Sequence, residues 1–174
     1  FPVYRESASR YYLPKFFGIS NFGDVNCRLP KGEEINAKFN GTLRDYQTRI
    51  VNKYVNYVKQ NGTNYGGGCL EIDTGMGKTV MGIDIISKMR LKTIILVHKE
   101  FLMNQWIERI NEFMPDASVG KIQGKVIDIE QKDIVIAMIQ SLSMKEYDVD
   151  LFKCFGLMII DEVHHMGAEV FSNS

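Results

Sequence analysis

The tightest constraint on what this chain can fold into is the segment Thr74-Gly75-Met76-Gly77-Lys78-Thr79. Two glycines one residue apart, followed at once by Lys-Thr, describe a turn whose backbone N–H groups converge on one small volume. Such a turn works when a strand delivers the chain to it and a helix leaves from it, because the helix start adds its own free N–H groups and positive dipole end. The flanks supply both. Cys69 to Ile72 reads as a short strand, and beyond Lys78 the apolar positions Val80, Met81, Ile83, Ile85, Ile86 and Met89 run almost all round a helix that stops near Arg90. A helix apolar on nearly every side must lie against a sheet. The first glycine of the strict phosphate-loop pattern is replaced here by Ile72, so the strand–turn–helix context carries the reading.

A second segment completes the chemistry. The apolar run Leu157 to Ile160 ends in Asp161-Glu162-Val163-His164. A buried strand that ends in a carboxylate pair offers one carboxylate to a metal and the other to a water molecule. With the turn, this assigns Lys78 to the β and γ phosphates of a nucleotide, Thr79 and Asp161 to Mg²⁺, and Glu162 to the attacking water. The N–H groups from Thr74 through Gly75, Met76 and Gly77 to Lys78 would cradle the phosphates.

Between these segments strands and helices alternate. Thr93 to Val97 is a β-branched run of strand length, and Glu100 to Phe113 is a helix that must end before Pro115. Val119 to Ile122, Ile134 to Met138 and Leu157 to Ile160 are further short apolar runs. Strands apolar on both faces predict a mostly parallel sheet covered by helices on both sides, with the ligand at the carboxyl ends of the strands. Upstream, Leu43, Tyr46, Ile50, Tyr54 and Tyr57 step by three or four, with Val51, Val55 and Val58 alongside, which predicts an amphipathic helix from Leu43 to Lys59. Asn61 to Gly68 reads as a flexible connection. Residues 1–40 hold many aromatics and breakers without a sustained period, and read as short strands or a packed arm.

Composition excludes several classes. With 174 residues, 45% apolar and 24% charged, the chain matches one globular domain with room for a small appendage. No run approaches the roughly 18 apolar residues of a membrane span, and the expectation is an intracellular protein with no membrane partner. The net charge is zero, so bulk charge does not argue for a polyanion partner. Cys27, Cys69 and Cys154 are widely separated and read as reduced structural residues, and the adjacent His164 and His165 point to opposite faces of an extended chain.

These motifs resemble the first motor domain of superfamily 2 helicases and translocases of the DExH kind. Thr74 to Thr79 resembles motif I and Asp161 to His164 motif II. Leu43-Arg44-Asp45-Tyr46-Gln47 is similar to an upstream element whose arginine and glutamine lie near adenine, which implies that role for Arg44 and Gln47. An amide can pair with both N6 and N7 of adenine. Leu96 to Trp106 and Ile136 to Leu142 resemble the strand-end motifs on the nucleic-acid side, implying that His98, Lys99, Gln140 and Ser141 lie along a phosphate track. Trp106 reads as core packing rather than a base platform.

Within the superfamily the likeness is to the group containing the eukaryotic excision-repair helicase, phage recombination helicases and transcript-release helicases of large cytoplasmic DNA viruses. Phe155-Gly156-Leu157, Asp161 to His165, Gly167 to Phe171, Phe1 to Arg5 and Tyr12-Leu13-Pro14 carry it.

The resemblance implies a RecA-like P-loop NTPase domain over residues 41–174 preceded by the end of an N-terminal appendage at 1–40. It implies ATP and Mg²⁺ as cofactors, a nucleic-acid partner with DNA favoured over RNA, and His164 as the coupling residue. Cytoplasm, nucleus, virion or viral replication site are the expected locations. It also implies a second RecA-like domain that supplies an arginine to the site, so that residues 1–174 alone are expected to turn ATP over slowly or not at all. Two rival readings are a P-loop phosphotransferase, which shares motif I but explains neither Asp161 to His164 nor Leu43 to Gln47, and a nucleotide-gated nucleic-acid-binding module that never cycles.

Overall fold

The computed structural model describes residues 4–23, 30–60 and 66–163. The chain opens with a small antiparallel hairpin, β1 (Arg5–Ser7) and β2 (Arg10–Tyr12), followed by helix α1 (Lys15–Phe22). The sequence suggested only short strands or an arm here, and the helix is an addition. Helix α2 (Asp45–Gln60) begins two residues later than its apolar pattern predicts, because Leu43 lies before the helix. Helix α3 (Lys78–Met89) leaves the glycine-rich turn and stops at Arg90, which adopts a left-handed conformation and returns its N–H to Ile86. Then come β3 (Thr93–Val97), α4 (Glu100–Phe113), β4 (Val119–Gln123), β5 (Val126–Ile127), β6 (Ile134–Met138), α5 (Ile139–Ser143), a 3₁₀ turn at Val149–Phe152, and β7 (Leu157–Ile160).

Five strands form one sheet in the order β5-β4-β6-β3-β7, parallel except where the short β5 turns back on β4. In β3 and β6, Thr93 lies beside Ile134 and Val97 beside Met138; in β3 and β7, Leu96 lies beside Ile160. The three strands therefore end level with one another, and the residues just beyond their carboxyl ends share one rim.

Strand periodicity sorts the core. Ile95 and Val97 of β3 and Ile134 and Ile136 of β6 face one side, where Ile83 and Ile86 of α3 and Met103, Trp106 and Ile110 of α4 cover them. Ile94, Leu96, Val135 and Ala137 face the other side, packed with Ile122, Ile129 and Ile139 and with partly buried Tyr147, Phe152 and Phe155. A third cluster joins Val51 and Val55 of α2 to Met81 and Ile85 of α3, so α2 lies outside α3. The buried line of α2 is made by its valines, while Tyr57 is exposed. Short β-branched side chains let two helices approach more closely than tyrosines do.

Three expectations need correction. Cys69 to Ile72 is not a strand. Residues 66–73 lack regular structure and Cys69 is exposed rather than structural, while β7 pairs only with β3 among the described residues. A strand exists by pairing, and among the described residues this run pairs with no strand, although Ile72 packs against the α2–α3 cluster. Second, the packing crosses the boundary expected at residue 40. Ile35 and Ala37 belong to the main core, Glu34 bridges Leu91, and N–H groups of Glu33, Ile35 and Asn40 donate to carbonyls of Cys154, Arg90 and Phe113. Phe39 stacks on Phe113 at 5.7 Å and donates its N–H to Ser87. This strap is held by backbone groups and by Ile35, Ala37 and Phe39, whose alternation with exposed Asn36 and Lys38 is too short to stand out in the sequence. Third, Met158 of β7 is exposed, since a strand at the sheet margin is covered on fewer sides. Among the described residues no helix is long and apolar enough to cross a membrane. Cys27 and the connection at 61–65 lie outside the described residues.

Candidate nucleotide site and strand-end rim

The glycine-rich turn needs its glycines. Gly75 and Gly77 have φ of 82° and 80°, the left-handed region that costs a residue with a Cβ about 1–2 kcal/mol. Gly77 is also the residue from which α3 starts, and a Cβ there would lie 2.5 Å from Gln47 Nε2. Left-handed residues at a helix start turn successive N–H groups to one side and form an anion-binding concavity. Thr74, Gly75 and Met76 are exposed, and Gly77, Lys78 and Thr79 half-buried, so the concavity opens to solvent.

The two distant motifs meet. Lys78 Nζ lies 3.5 Å from Glu162 Oε1, both side chains being about one-third exposed. The lysine that opens α3 rests on the carboxylate beyond β7. Glu162 has φ of 57°, a conformation that non-glycine residues adopt at a cost and that clusters at functional sites. Asp161 continues the sheet register, its N–H donating to Leu96 O at 3.0 Å. Its side chain is held from α4: Trp106 Nε1 donates to Asp161 Oδ2 at 2.9 Å. Trp106 is core, as its sequence context suggests, but its polar edge also reaches the site.

Gln47 is more occupied than the adenine assignment supposes. It is the third residue of α2, and its Oε1 accepts the N–H of Arg44 at 2.9 Å, one half of a capping box at the residue preceding the helix. Its Nε2 donates to Met76 O at 3.0 Å, and Tyr46 Oη donates to the same carbonyl at 3.0 Å. Gln47 thus keeps one N–H and one lone pair for other partners. The anchoring role of Tyr46 was not read from the sequence. A tyrosine on an amphipathic helix signals packing, and nothing local marks its hydroxyl.

The remaining residues sit on the rim. Gln140 Nε2 donates to His98 O at 2.7 Å and ties the ends of β3 and β6 together. Ser141 Oγ accepts the N–H of Gly124 at 2.9 Å, and Tyr147 Oη donates to Ser141 O, so this serine fixes the turn between β4 and β5. Lys99 is exposed and lies 5.8 Å over the ring of Phe101, itself 62% exposed. His98, Lys99, Gln140 and Ser141 are therefore neighbours on the rim where Asp161 emerges. His164 lies outside the described residues.

A mostly parallel sheet, a phosphate-binding turn opening a helix and a carboxylate pair closing a neighbouring strand define a P-loop ATPase domain of the RecA-like type. A family model described as type III restriction enzyme, res subunit, matches residues 40–173, and the chain belongs to that family. It is the first RecA-like domain of a superfamily 2 helicase.

A protein named as an ATP-dependent RNA helicase, L396, from Acanthamoeba polyphaga mimivirus is 37% identical over 175 residues, covering 99% of this chain and 33% of its own length. A protein named as helicase 109L from Invertebrate iridescent virus 3 is 31% identical, covering 93% of this chain and 51% of its own length. The yeast protein named as ATP-dependent helicase IRC3, from Saccharomyces cerevisiae, is 32% identical over 74% of this chain. The chain thus spans about a third of the first of these relatives and about half of the second. Among solved structures, the Sulfolobus solfataricus SWI2/SNF2 ATPase core in complex with dsDNA superposes with a TM-score of 0.63, over 82% of this chain and 31% of that one. At 21% identity that likeness speaks to the fold.

Proposed function

We propose that these residues form the ATP-binding half of a nucleic-acid motor that couples ATP hydrolysis to movement on DNA. The observation that carries the proposal is the 3.5 Å approach of Lys78 to Glu162, which brings phosphate grip and water activation together on the rim that also bears His98 and Gln140.

The N–H groups from Gly75 to Lys78 receive the phosphate oxygens, and Lys78 leaves Glu162 for the β and γ phosphates. Glu162, released from that ion pair, orients the attacking water and accepts its proton. The hydroxyl of Thr79 and the carboxylate of Asp161 fit a hard cation that prefers oxygen ligands. Mg²⁺ held there would neutralise charge on the phosphates. Gln47 has one N–H and one lone pair to spare for adenine, and Arg44 lies at the same helix start. His98, Lys99, Gln140 and Ser141 offer polar groups to a sugar–phosphate backbone without reading bases. His164 relays between the two sites. A second RecA-like domain of the same polypeptide supplies the arginine that stabilises transition-state charge.

One relative is named for RNA and one structural neighbour holds dsDNA, and phosphate tracking alone does not distinguish the two. The test is ATP hydrolysis by the intact natural protein with no nucleic acid, with single-stranded DNA and with RNA. The motor reading expects stimulation, greater with DNA. Glu162→Gln should bind ATP without hydrolysing it and Lys78→Ala should lose γ-phosphate-dependent affinity. Binding without turnover under every condition would favour the non-cycling module, and phosphate transfer to a small acceptor the phosphotransferase.

A further inference from the structure

We infer that Trp106 is a positioning residue for the metal-binding carboxylate Asp161. The inference rests on the proposed assignment of Asp161 to the metal. Trp106 is the chain's single tryptophan and is 3% exposed, on the buried line of α4 with Met103 and Ile110. Packing alone would be satisfied by any large apolar ring. What packing does not require is the direction of its one polar atom, and Nε1 donates to Asp161 Oδ2 at 2.9 Å.

The ring cannot drift from that position. Its far edge abuts α3 at Gly82, where even a Cβ would come within 2.7 Å of Cη2. A single side chain therefore touches the helix that starts at Lys78 and the carboxylate beyond β7.

The consequence for Asp161 is geometric. A carboxylate free to rotate about χ2 presents either oxygen in many directions. With Oδ2 committed to the indole N–H, Oδ1 is left to a cation and the plane of the group is fixed. This is the arrangement by which outer partners of metal ligands orient them, and loss of such a partner typically weakens metal affinity by about 10–100-fold.

The discriminating variant is Trp106→Phe, which keeps most of the ring and removes the N–H. In the intact natural protein, Mn²⁺ is titrated in the presence of ADP and its binding followed by electron paramagnetic resonance. Trp106→Phe is expected to weaken Mn²⁺ binding about tenfold, while metal-free ADP binding moves no more than in Ile110→Val, which perturbs the same helix without touching Asp161.

If the phenylalanine variant folds poorly, β-(3-benzothienyl)alanine at position 106 keeps the bicyclic shape without a donor and should show the same loss. Independently, the indole N–H resonance assigned by its absence in Trp106→Phe should move upfield in Asp161→Asn. Asp161→Ala separates the two layers of argument. If it abolishes Mn²⁺ binding while Trp106→Phe and the isostere leave it unchanged, the positioning role is wrong and the metal assignment stands. If Asp161→Ala leaves Mn²⁺ binding intact, the metal assignment falls and the inference with it.

Discussion

Replacing Gly82 by alanine tests the packing around the site because two ordinary effects oppose each other there. Gly82 lies inside α3, and alanine in a helix interior is normally favoured over glycine by about 0.8–1.0 kcal/mol. Against this stands Trp106, whose Cη2, Cζ3 and Cζ2 would lie 2.7, 3.5 and 3.8 Å from the new Cβ. Carbon pairs attract at 3.5–4.0 Å, so ring and helix must part by roughly 1 Å.

The ring has no soft direction, being 3% exposed and tied to Asp161. Overpacking of this kind costs about 1–3 kcal/mol, and a lost hydrogen bond to a charged group about 1.5–3 kcal/mol if the ring gives way. The penalty wins, for a net destabilisation of about 1–2 kcal/mol. In a domain of this size that lowers the melting temperature by roughly 2–8 °C, measurable by calorimetry or circular dichroism. A melting temperature equal to or above that of the unsubstituted protein would refute the reasoning, because propensity alone would then be deciding the outcome.

Other expectations come from single contacts. Gln47→Ala removes the bonds to Arg44 N and Met76 O, each worth about 1 kcal/mol, and should lower the melting temperature by roughly 4–8 °C as well as weaken binding of a fluorescent ATP analogue roughly tenfold. Lys92 is 7% exposed in its side chain, is paired with Glu33 at 3.0 Å and lies over the Phe155 ring, so Glu33→Gln leaves a buried cation without its counter-charge. Because Glu33 is 63% exposed, the cost should be about 1 kcal/mol rather than the larger figure for a fully buried pair, and Lys92→Met should cancel it in the double variant by denaturant unfolding. Burial raises the Tyr54 hydroxyl above the ordinary tyrosine value of 10.0. The folded state therefore holds that proton more tightly than the unfolded chain, and stability is complete below pH 10 and lost as pH rises above it. Tyr54→Phe should flatten that alkaline loss in melts recorded from pH 9 to 11, and an unchanged slope would contradict the assignment.

Much of the architecture was legible where a local pattern matched what tertiary packing later demanded. Thr93–Val97, Ile134–Met138 and Leu157–Ile160 are β-branched or apolar runs, and all three are strands of those lengths. Glu100–Phe113 ends where Pro115 forbids more helix. The glycine pair at 75 and 77 and the carboxylates at 161 and 162 were readable because phosphate and water chemistry admit few residue types at those spacings. The strap at residues 32–40 was not readable, because the alternation of Ile35, Ala37 and Phe39 is short and the carbonyls of Arg90, Phe113 and Cys154 that also hold it leave no mark in the sequence.

Residue type and the periods of two and 3.6 were enough to specify most of the elements, the two chemical motifs and the side of the sheet on which those motifs had to meet. Three features depended instead on how distant segments pack. Cys69 to Ile72 has the composition of a strand but stays irregular, since pairing is a property of two segments. Gln47, assigned to adenine, commits one N–H to the loop at Met76 and one lone pair to the helix start at Arg44. Trp106, which the sequence marked as core, aims its N–H at Asp161 across 55 positions of chain, because a hydrogen bond between distant residues depends on where the fold sets both ends.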